Sequence, residues 1–257
     1  MIKFILTFVM FFALIYSVSA SSPGKAGTSP KYETDLIVDL PTAGMLPAYH
    51  GAVVINFLPL GGLYLEASYA LFQSFLVGIA YGGNGIIGNS KPEMQNLPGI
   101  TAKYRFLDER INIPAIVLGF RSQGGGNFIY GNDRFVDHSP GFFLAVSKSF
   151  TWAMGELSFH SGVNYSFEAN KVFRSPDVYF GFEQSIGKFV ALNLEFDLSL
   201  DEDAKLLNHR GRVNGALRFS VVDGVTIGMK IRDLTGSVKH QDGLTRQFYV
   251  DFVKNLN

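Results

Sequence analysis

The chain has 257 residues, 22 basic and 22 acidic side chains, and no cysteine. The balanced charge argues against nucleic-acid binding, and the lack of thiols excludes disulfides, thiolate metal sites, a cysteine nucleophile and a lipid-anchored cysteine. Charged residues make up 17% and aromatic residues 14%, against about 25% charged residues in ordinary soluble domains, which favours a β protein in contact with lipid.

The first twenty residues resemble a secretory signal peptide in composition. Lys3 precedes a largely apolar run over residues 4–16, and small side chains stand at Val18 and Ala20. This run is about 20 Å long as a helix, too short for the roughly 30 Å hydrocarbon core. We therefore expect cleavage after Ala20 and export of the protein, followed by a flexible periplasmic leader over residues 21–48.

From residue 36 onward, apolar and polar residues alternate with the period of a β-strand. The clearest case begins at Val190, where Leu192 and Leu194 lie on one face and Asn193 and Glu195 on the other. Alternation predicts about twelve strands, near residues 50–58, 62–70, 75–82, 98–107, 113–121, 140–149, 153–166, 177–184, 189–199, 209–220, 225–232 and 245–253. The pattern fits a soluble sandwich with an apolar core or a membrane barrel with an apolar outer face.

The lengths of the connections favour the barrel. After the first connection, short turns such as 71–74 and 222–224 alternate strictly with long loops such as 83–97 and 122–139. Bacterial outer-membrane barrels have short periplasmic turns and long external loops. The order also places both chain termini of the barrel on the short-turn side, as an even number of strands requires. The sequence therefore predicts an all-β fold: an antiparallel transmembrane β-barrel of about 12 strands over residues 49–257.

Several stretches resemble a family of bacterial outer-membrane proteins known as YjbH-like, which is linked with exopolysaccharide production. The stretches that carry the resemblance are residues 40–47, 82–88, 102–109, 114–124, 139–148 and 160–168. The resemblance implies an outer-membrane barrel and, more loosely, a role in polysaccharide secretion or in the cell envelope.

Charged and polar residues collect on the inward face of the predicted barrel. The candidate lumen residues are Glu66, Lys103, Arg105, Glu156, His160, Glu168, Glu183, Glu195, Asp197, Arg212, Arg218, Lys230 and Arg232, together with Asp251. They fit either a polar path that selects or binds a solute or a set of ion pairs that fills a narrow lumen, because buried charges must be paired. The second interpretation is favoured over the first.

One strand offers a possible catalytic group. Ser158, His160 and Asn164 share a face and contain the residue types of a hydrolase nucleophile, base and orienting group. Residues two apart on a strand lie nearly 7 Å apart at the backbone, and no oxyanion-hole motif is recognisable. We therefore expect no enzymatic activity and no catalytic residues.

Two loops were considered as ligand sites. Residues 201–203, Asp-Glu-Asp, are consecutive and lack the spacing of a calcium loop, so a solvated acidic loop is expected. Residues 122–127 are glycine-rich, but no helix with a Lys-Ser/Thr pair follows them, so a flexible external loop is expected. The five histidines are scattered, and neither a metal nor a cofactor is predicted.

These observations lead to three hypotheses. The first is a non-enzymatic outer-membrane barrel that serves the cell envelope or passes a solute or glycan. The second is a barrel hydrolase that acts on lipid or glycan, and the third is a secreted soluble β-sandwich that binds a ligand. For the first, the expected partners are outer-membrane lipid, lipopolysaccharide, and polysaccharide or envelope proteins, with both termini in the periplasm and no nucleic acid bound.

Overall fold

Twelve antiparallel strands form the fold. The computed structural model describes residues 19–20, 32–168, 175–239 and 244–257. The strands are β1 His50–Leu58, β2 Gly62–Phe72, β3 Phe75–Asn84, β4 Gly99–Leu107, β5 Ala115–Arg121, β6 Gly141–Trp152, β7 Gly155–Tyr165, β8 Asp177–Ile186, β9 Val190–Asp197, β10 Arg212–Val222, β11 Val225–Arg232 and β12 Thr245–Asn255. Their positions confirm the predicted strands to within a few residues at each end.

The sheet closes on itself. β12 pairs with β1 from Phe248 opposite Phe57 to Asn255 opposite His50, and each strand also pairs with its neighbour in the chain. Because every barrel strand has a partner on both sides, its backbone N–H and C=O groups bond within the sheet and no edge strand remains. The prediction of an antiparallel barrel is confirmed, and the soluble sandwich is wrong because there is one closed sheet rather than two stacked ones.

The barrel has two different rims. The short-turn rim carries the connections at 73–74, 108–114, 153–154, 187–189 and 223–224, and both His50 and Asn255 lie there. The long-loop rim carries the other connections, of which only residues 59–61 are short. The expected order of short and long connections is therefore present in the fold.

Side chains alternate between the two faces of the barrel wall, apart from register shifts near residues 70–72, 105–107, 141–142 and 220–222. On the outer face Phe159, Phe180 and Phe196 are 50%, 49% and 41% exposed, whereas the inward Glu183 and Glu195 are fully buried. The wall thus reverses the usual distribution of a soluble protein, since its large apolar residues face outward and its charges face inward. Among the described residues, no helix is long and apolar enough to cross a membrane.

Four inward aromatic rings lie directly against a glycine on the neighbouring strand. The pairs are Tyr179 with Gly162, Tyr249 with Gly228, Phe143 with Gly119 and Tyr64 with Gly82. A methyl group on Gly162 would lie 2.2 Å from the Tyr179 hydroxyl oxygen. The missing side chain therefore makes room for the ring, which covers the bare backbone of the facing strand.

Residues 32–47, which we call the lumen segment, lie inside the barrel. Ile37, Val38 and Ala43 are each no more than 1% exposed. The prediction of a flexible periplasmic leader is therefore wrong for this part of the chain, because its apolar and acidic residues find partners on the inner wall. The predicted signal peptide lies outside the described residues except for Ser19–Ala20, a two-residue strand that pairs with β6.

The glycine-rich connection after β5 folds into a hairpin rather than a flexible external loop. Gly125–Ile129 pairs with Arg134–Asp137. Phe128 and Phe135 from this hairpin form a buried cluster with Leu58 and Tyr64 of the wall. The expectation of a flexible loop is wrong because two phenylalanines beyond residue 127 anchor the connection at the long-loop rim.

Candidate functional site: the barrel lumen

The lumen segment doubles back on itself at residues 36–41. Leu36 forms a β-bridge with Pro41, and the Ile37 N–H donates to the Leu40 carbonyl at 2.8 Å. The three following backbone N–H groups, of residues 38–40, all donate to one carboxylate oxygen of Glu195, at 2.9, 2.9 and 2.8 Å. Glu195 therefore fixes this turn, because one carboxylate oxygen satisfies three neighbouring backbone donors, two of them buried.

Acidic side chains of the lumen segment pair with cations of the wall. Asp35 lies 2.8 Å from Lys103 Nζ, and Asp39 lies 3.1 Å from Lys230 Nζ and 2.8 Å from Arg232 Nη2. Burial opposes the ionisation of Asp39, but the charges of Arg232 and Lys230 outweigh it and hold the pKa of Asp39 below its ordinary range. Asp39 is therefore an anion between two cations at neutral pH.

Backbone and hydroxyl contacts hold the segment against β4, β6 and β8. Lys103 Nζ donates to the Gly44 carbonyl at 2.7 Å, and the Tyr179 hydroxyl donates to the Pro41 carbonyl at 2.7 Å. The Ala43 N–H donates to Ser147 Oγ at 2.9 Å. Glu33 pairs with Arg105, which lies nearer the short-turn rim. The segment therefore fills one side of the lumen.

A cavity of about 130 Å³ remains on the other side. It lies between the lumen segment and a wall formed by β1–β3 and β10–β12, with the hairpin of residues 125–137 near one end. Side chains of both charge signs line it, including Glu66, Arg121, Lys230 and Asp251. Such a volume holds roughly ten water molecules, which makes this cavity the open part of the lumen.

Most of the charges around the cavity are already paired. Arg121 donates two hydrogen bonds, of 2.6 and 2.7 Å, to Glu66. This two-point contact fixes the orientation of the guanidinium group relative to the carboxylate. Arg218 Nη1 lies 3.3 Å from Glu183. The lumen thus combines a network of ion pairs with a residual polar cavity.

The predicted lumen residues divide into those inside the barrel and those at its rims. Buried inside are Lys103, Arg105, His160, Glu183, Glu195, Arg212, Arg218, Lys230 and Arg232, and Glu66 is half-buried beside Arg121. Glu156 lies at the short-turn rim and Asp197 at the long-loop rim. Glu168 lies beyond the end of β7 and accepts hydrogen bonds from the N–H groups of Phe135 and Ser139 at 3.2 and 3.1 Å.

Glu168 therefore fastens the long-loop hairpin instead of lining a path. Burial raises the pKa of its carboxyl, against the effect of these two N–H donors.

Sequence reasoning missed the residues that the lumen segment contributes. Glu33, Asp35 and Asp39 pair with four cations of the wall, which are Lys103, Arg105, Lys230 and Arg232. Arg121, which pairs with Glu66, was also missed. A usable signal was present: three carboxylates precede a barrel whose inward face is rich in Lys and Arg. Nothing in the strand period could assign these carboxylates to the lumen, because the segment is not part of a strand.

The proposed catalytic residues are not brought together. His160 Nδ1 lies 2.8 Å from the hydroxyl of Ser147, whereas Ser158 donates to Ser149 at 2.7 Å and Asn164 to the Pro140 carbonyl at 3.4 Å. Ser147 is fully buried and already accepts the Ala43 N–H. His160 is therefore a buried histidine that bonds through Nδ1 alone among the described residues, and the lumen segment leaves no space beside Ser147 for a substrate.

The acidic residues 201–203 are not the solvated loop that was expected. Asp201 and Glu202 are 5% and 4% exposed. His138 Nδ1 lies 3.0 Å from Asp201, and Arg134 Nη2 lies 2.8 Å from Glu202. The expectation is wrong because Arg134 of the hairpin and the adjacent His138 bond to this loop. Within the part of the chain that the structure describes, no group of three or more His, Cys, Asp or Glu side chains is arranged to hold a metal ion.

Comparisons with known proteins add little to this geometry. No protein-family model and no curated protein sequence matches the chain. Among solved structures, the chain is similar to the NanC porin, at 7% identity over 80% of this chain and all of that one, with a TM-score of 0.44. It is also similar to a chain from a study of the in-meso crystallization of membrane proteins, at 12% identity over 80% of this chain and 84% of that one, with a TM-score of 0.38. Such low scores carry no argument about function.

Proposed function

We propose that this protein is a non-enzymatic barrel of the bacterial outer membrane, with both termini in the periplasm. The observation that carries the proposal is the outer wall, where large side chains such as Phe159, Phe180 and Phe196 are about half exposed around a closed sheet. Hydrocarbon is the medium in which such a surface is stable, because the closed ladder leaves no strand edge unsatisfied. Lipid and lipopolysaccharide are then the partners of the outer wall.

We further propose that the barrel passes small polar solutes along the cavity beside the lumen segment. The cavity is lined by charged and polar groups. Asp35 of the segment pairs with Lys103 on β4, whereas Asp39 reaches Lys230 on β11, beside the cavity. The segment therefore narrows the path without filling the whole lumen. A link with exopolysaccharide is supported by the sequence resemblance alone.

Single-channel recording in a planar lipid bilayer tests the passage of solutes. We expect small, discrete conductance steps from the purified full-length protein, because only part of the lumen is open. Insertion is checked by the different gel mobility of the folded barrel before and after boiling. Inserted, heat-modifiable protein with no current above the lipid background would contradict solute passage and leave a structural role in the envelope.

A further inference from the structure

We infer that the lumen cavity is a site for small uncharged solutes that carry hydroxyl groups, such as short polyols, a conclusion that rests on the proposed passage of solutes and names their class. The charges of the cavity and their partners balance. Four cations stand against four carboxylates: Arg121, Arg218, Lys230 and Arg232 against Glu66, Glu183, Asp39 and Asp251.

This balance leaves an entering ion without a counter-charge. Arg121 is held by Glu66 through two hydrogen bonds. Asp39 lies between Lys230 and Arg232. An ion that enters sheds water and finds each opposite charge already engaged, which makes its transfer costly. An uncharged solute loses less hydration, because it exchanges its hydrogen bonds with water for hydrogen bonds with the wall.

Two buried amides offer such hydrogen bonds. Gln247 and Gln123 line the cavity, and their side chains belong to residues that are only 3% and 6% exposed. The amide oxygen of each is buried and accepts no hydrogen bond among the described residues. Buried polar atoms without a partner are rare in folded proteins. Both oxygens are therefore suited to accept a hydrogen bond from the hydroxyl of a solute.

Gln247 is held in one orientation. It lies on the inward face of β12, and its Nε2 donates to Asn56 Oδ1 on β1 at 2.6 Å. Because the nitrogen is engaged there, the oxygen is left to the solute. The hydroxyl-bearing Ser68 and Thr226 also line the cavity, and a hydroxyl both donates and accepts. Amide oxygens and hydroxyls together complement the hydroxyl groups of a polyol.

Thiol labelling tests the inference without requiring a current. The chain has no cysteine, so Val54→Cys places a single reporter in the cavity, two residues before Asn56 on β1. Three methanethiosulfonates with the same skeleton are compared in detergent micelles at neutral pH: uncharged 2-hydroxyethyl, cationic 2-aminoethyl and anionic 2-sulfonatoethyl. Each rate is divided by the rate for a free small thiol, and folding is checked by gel mobility before boiling. We expect the uncharged reagent to react at least about tenfold faster than either charged one.

Variants of Gln247, added to the reporter, decide the origin of that preference. Gln247→Leu removes the amide oxygen and should slow the uncharged reagent by about threefold to tenfold. Gln247→Glu adds one negative charge and should make the cationic reagent the fastest. Gln184→Leu is the matched control, because Gln184 lies on the outer face of β8 and accepts a hydrogen bond from Trp152 at 2.9 Å. It should leave all three rates unchanged.

Three results would overturn the inference: a charged reagent as fast as the uncharged one, an unchanged uncharged rate in Gln247→Leu, or no reaction of any reagent with Val54→Cys. Failure of the proposed passage gives a different result. A lead of the uncharged reagent in a protein that carries no bilayer current would support the site and reject passage of ions, whereas current together with equal labelling rates would reject the site and keep passage.

Discussion

At the residue scale, contacts between inward glycines and aromatic rings constrain the barrel wall most tightly. Tyr179 covers Gly162 and Tyr249 covers Gly228 on directly paired strands. These rings occupy space that any side chain on the glycine would need. Tyr179 also donates a hydrogen bond to Pro41, so this contact couples the wall to the lumen segment.

Gly162→Ala should destabilise the barrel because its methyl group would lie 2.2 Å from the Tyr179 hydroxyl. Overpacking of this kind costs about 1–3 kcal/mol. The measurement is the urea concentration at which the fast-migrating folded band disappears on an unboiled gel. Gly131→Ala is the control, because no atom lies within 4 Å of a methyl group there. Equal midpoints for the two variants would contradict this role of the ring.

Within the strands, alternation predicted correctly which residues face inward, because the period of two is a property of the backbone; Glu168, beyond the end of β7, is the exception among the predicted lumen residues. In β4, for example, Thr101, Lys103 and Arg105 are buried while Tyr104 and Phe106 are exposed. The pattern could not supply the partners of these side chains. Lys103 bonds to Asp35 and Gly44, far away in the chain, and such pairs depend on three-dimensional arrangement rather than on local sequence.

At the element scale, the lumen segment depends on charge pairing more than on regular structure. Its turn is held by Glu195, and Asp39 connects it to two cations on β11. It was not predicted because residues 32–47 have neither the strand period nor a helical one. The loop around residues 122–127 was misjudged for a similar reason: its glycines suggested mobility, whereas the anchoring Phe128 and Phe135 follow outside that stretch.

Asp39→Asn should loosen the lumen segment, because Lys230 and Arg232 would lose their shared carboxylate. Breaking a buried pair by removal of one partner costs about 3–5 kcal/mol. A single cysteine at Leu40, which is 8% exposed in the native chain, reports the opening through its rate of thiol labelling. We expect this rate to rise by at least about 100-fold.

Asp108→Asn is the matched control, since Asp108 pairs with Arg105 at the exposed short-turn rim with its side chain 54% exposed. An exposed pair contributes little, so labelling should change little. Equal rates in both variants would mean that Asp39 does not hold the segment in place.

The same pairing predicts a response to acid. The pKa of Asp39 in the folded protein lies below its ordinary value. Its contribution to holding the lumen segment in place is therefore complete above about pH 4 and is lost as the pH falls through that lower folded pKa. Labelling at Leu40→Cys, divided by that of a short cysteine peptide, should stay constant from neutral pH down to about pH 4 and rise below it. A rise that begins near neutral pH would assign the control of the segment to another group.

At the scale of the whole molecule, a closed sheet carries apolar side chains outside and charges inside. Closure of an even number of strands places both ends of the barrel sequence on the short-turn rim, and the period of two within each strand places the charges inside. The central claim of the account is that the outer face lies in lipid.

Spin labels placed one at a time along residues 157–165 of β7, in a chain that contains no native cysteine, test this claim most directly. In liposomes, collisions with oxygen report lipid, and collisions with a polar nickel chelate report water. Labels at Leu157, Phe159 and Val163 should show high oxygen and low nickel accessibility, and labels at Ser158 and His160 should be shielded from lipid. High nickel accessibility at Phe159 and Val163, or no period of two, would contradict the account.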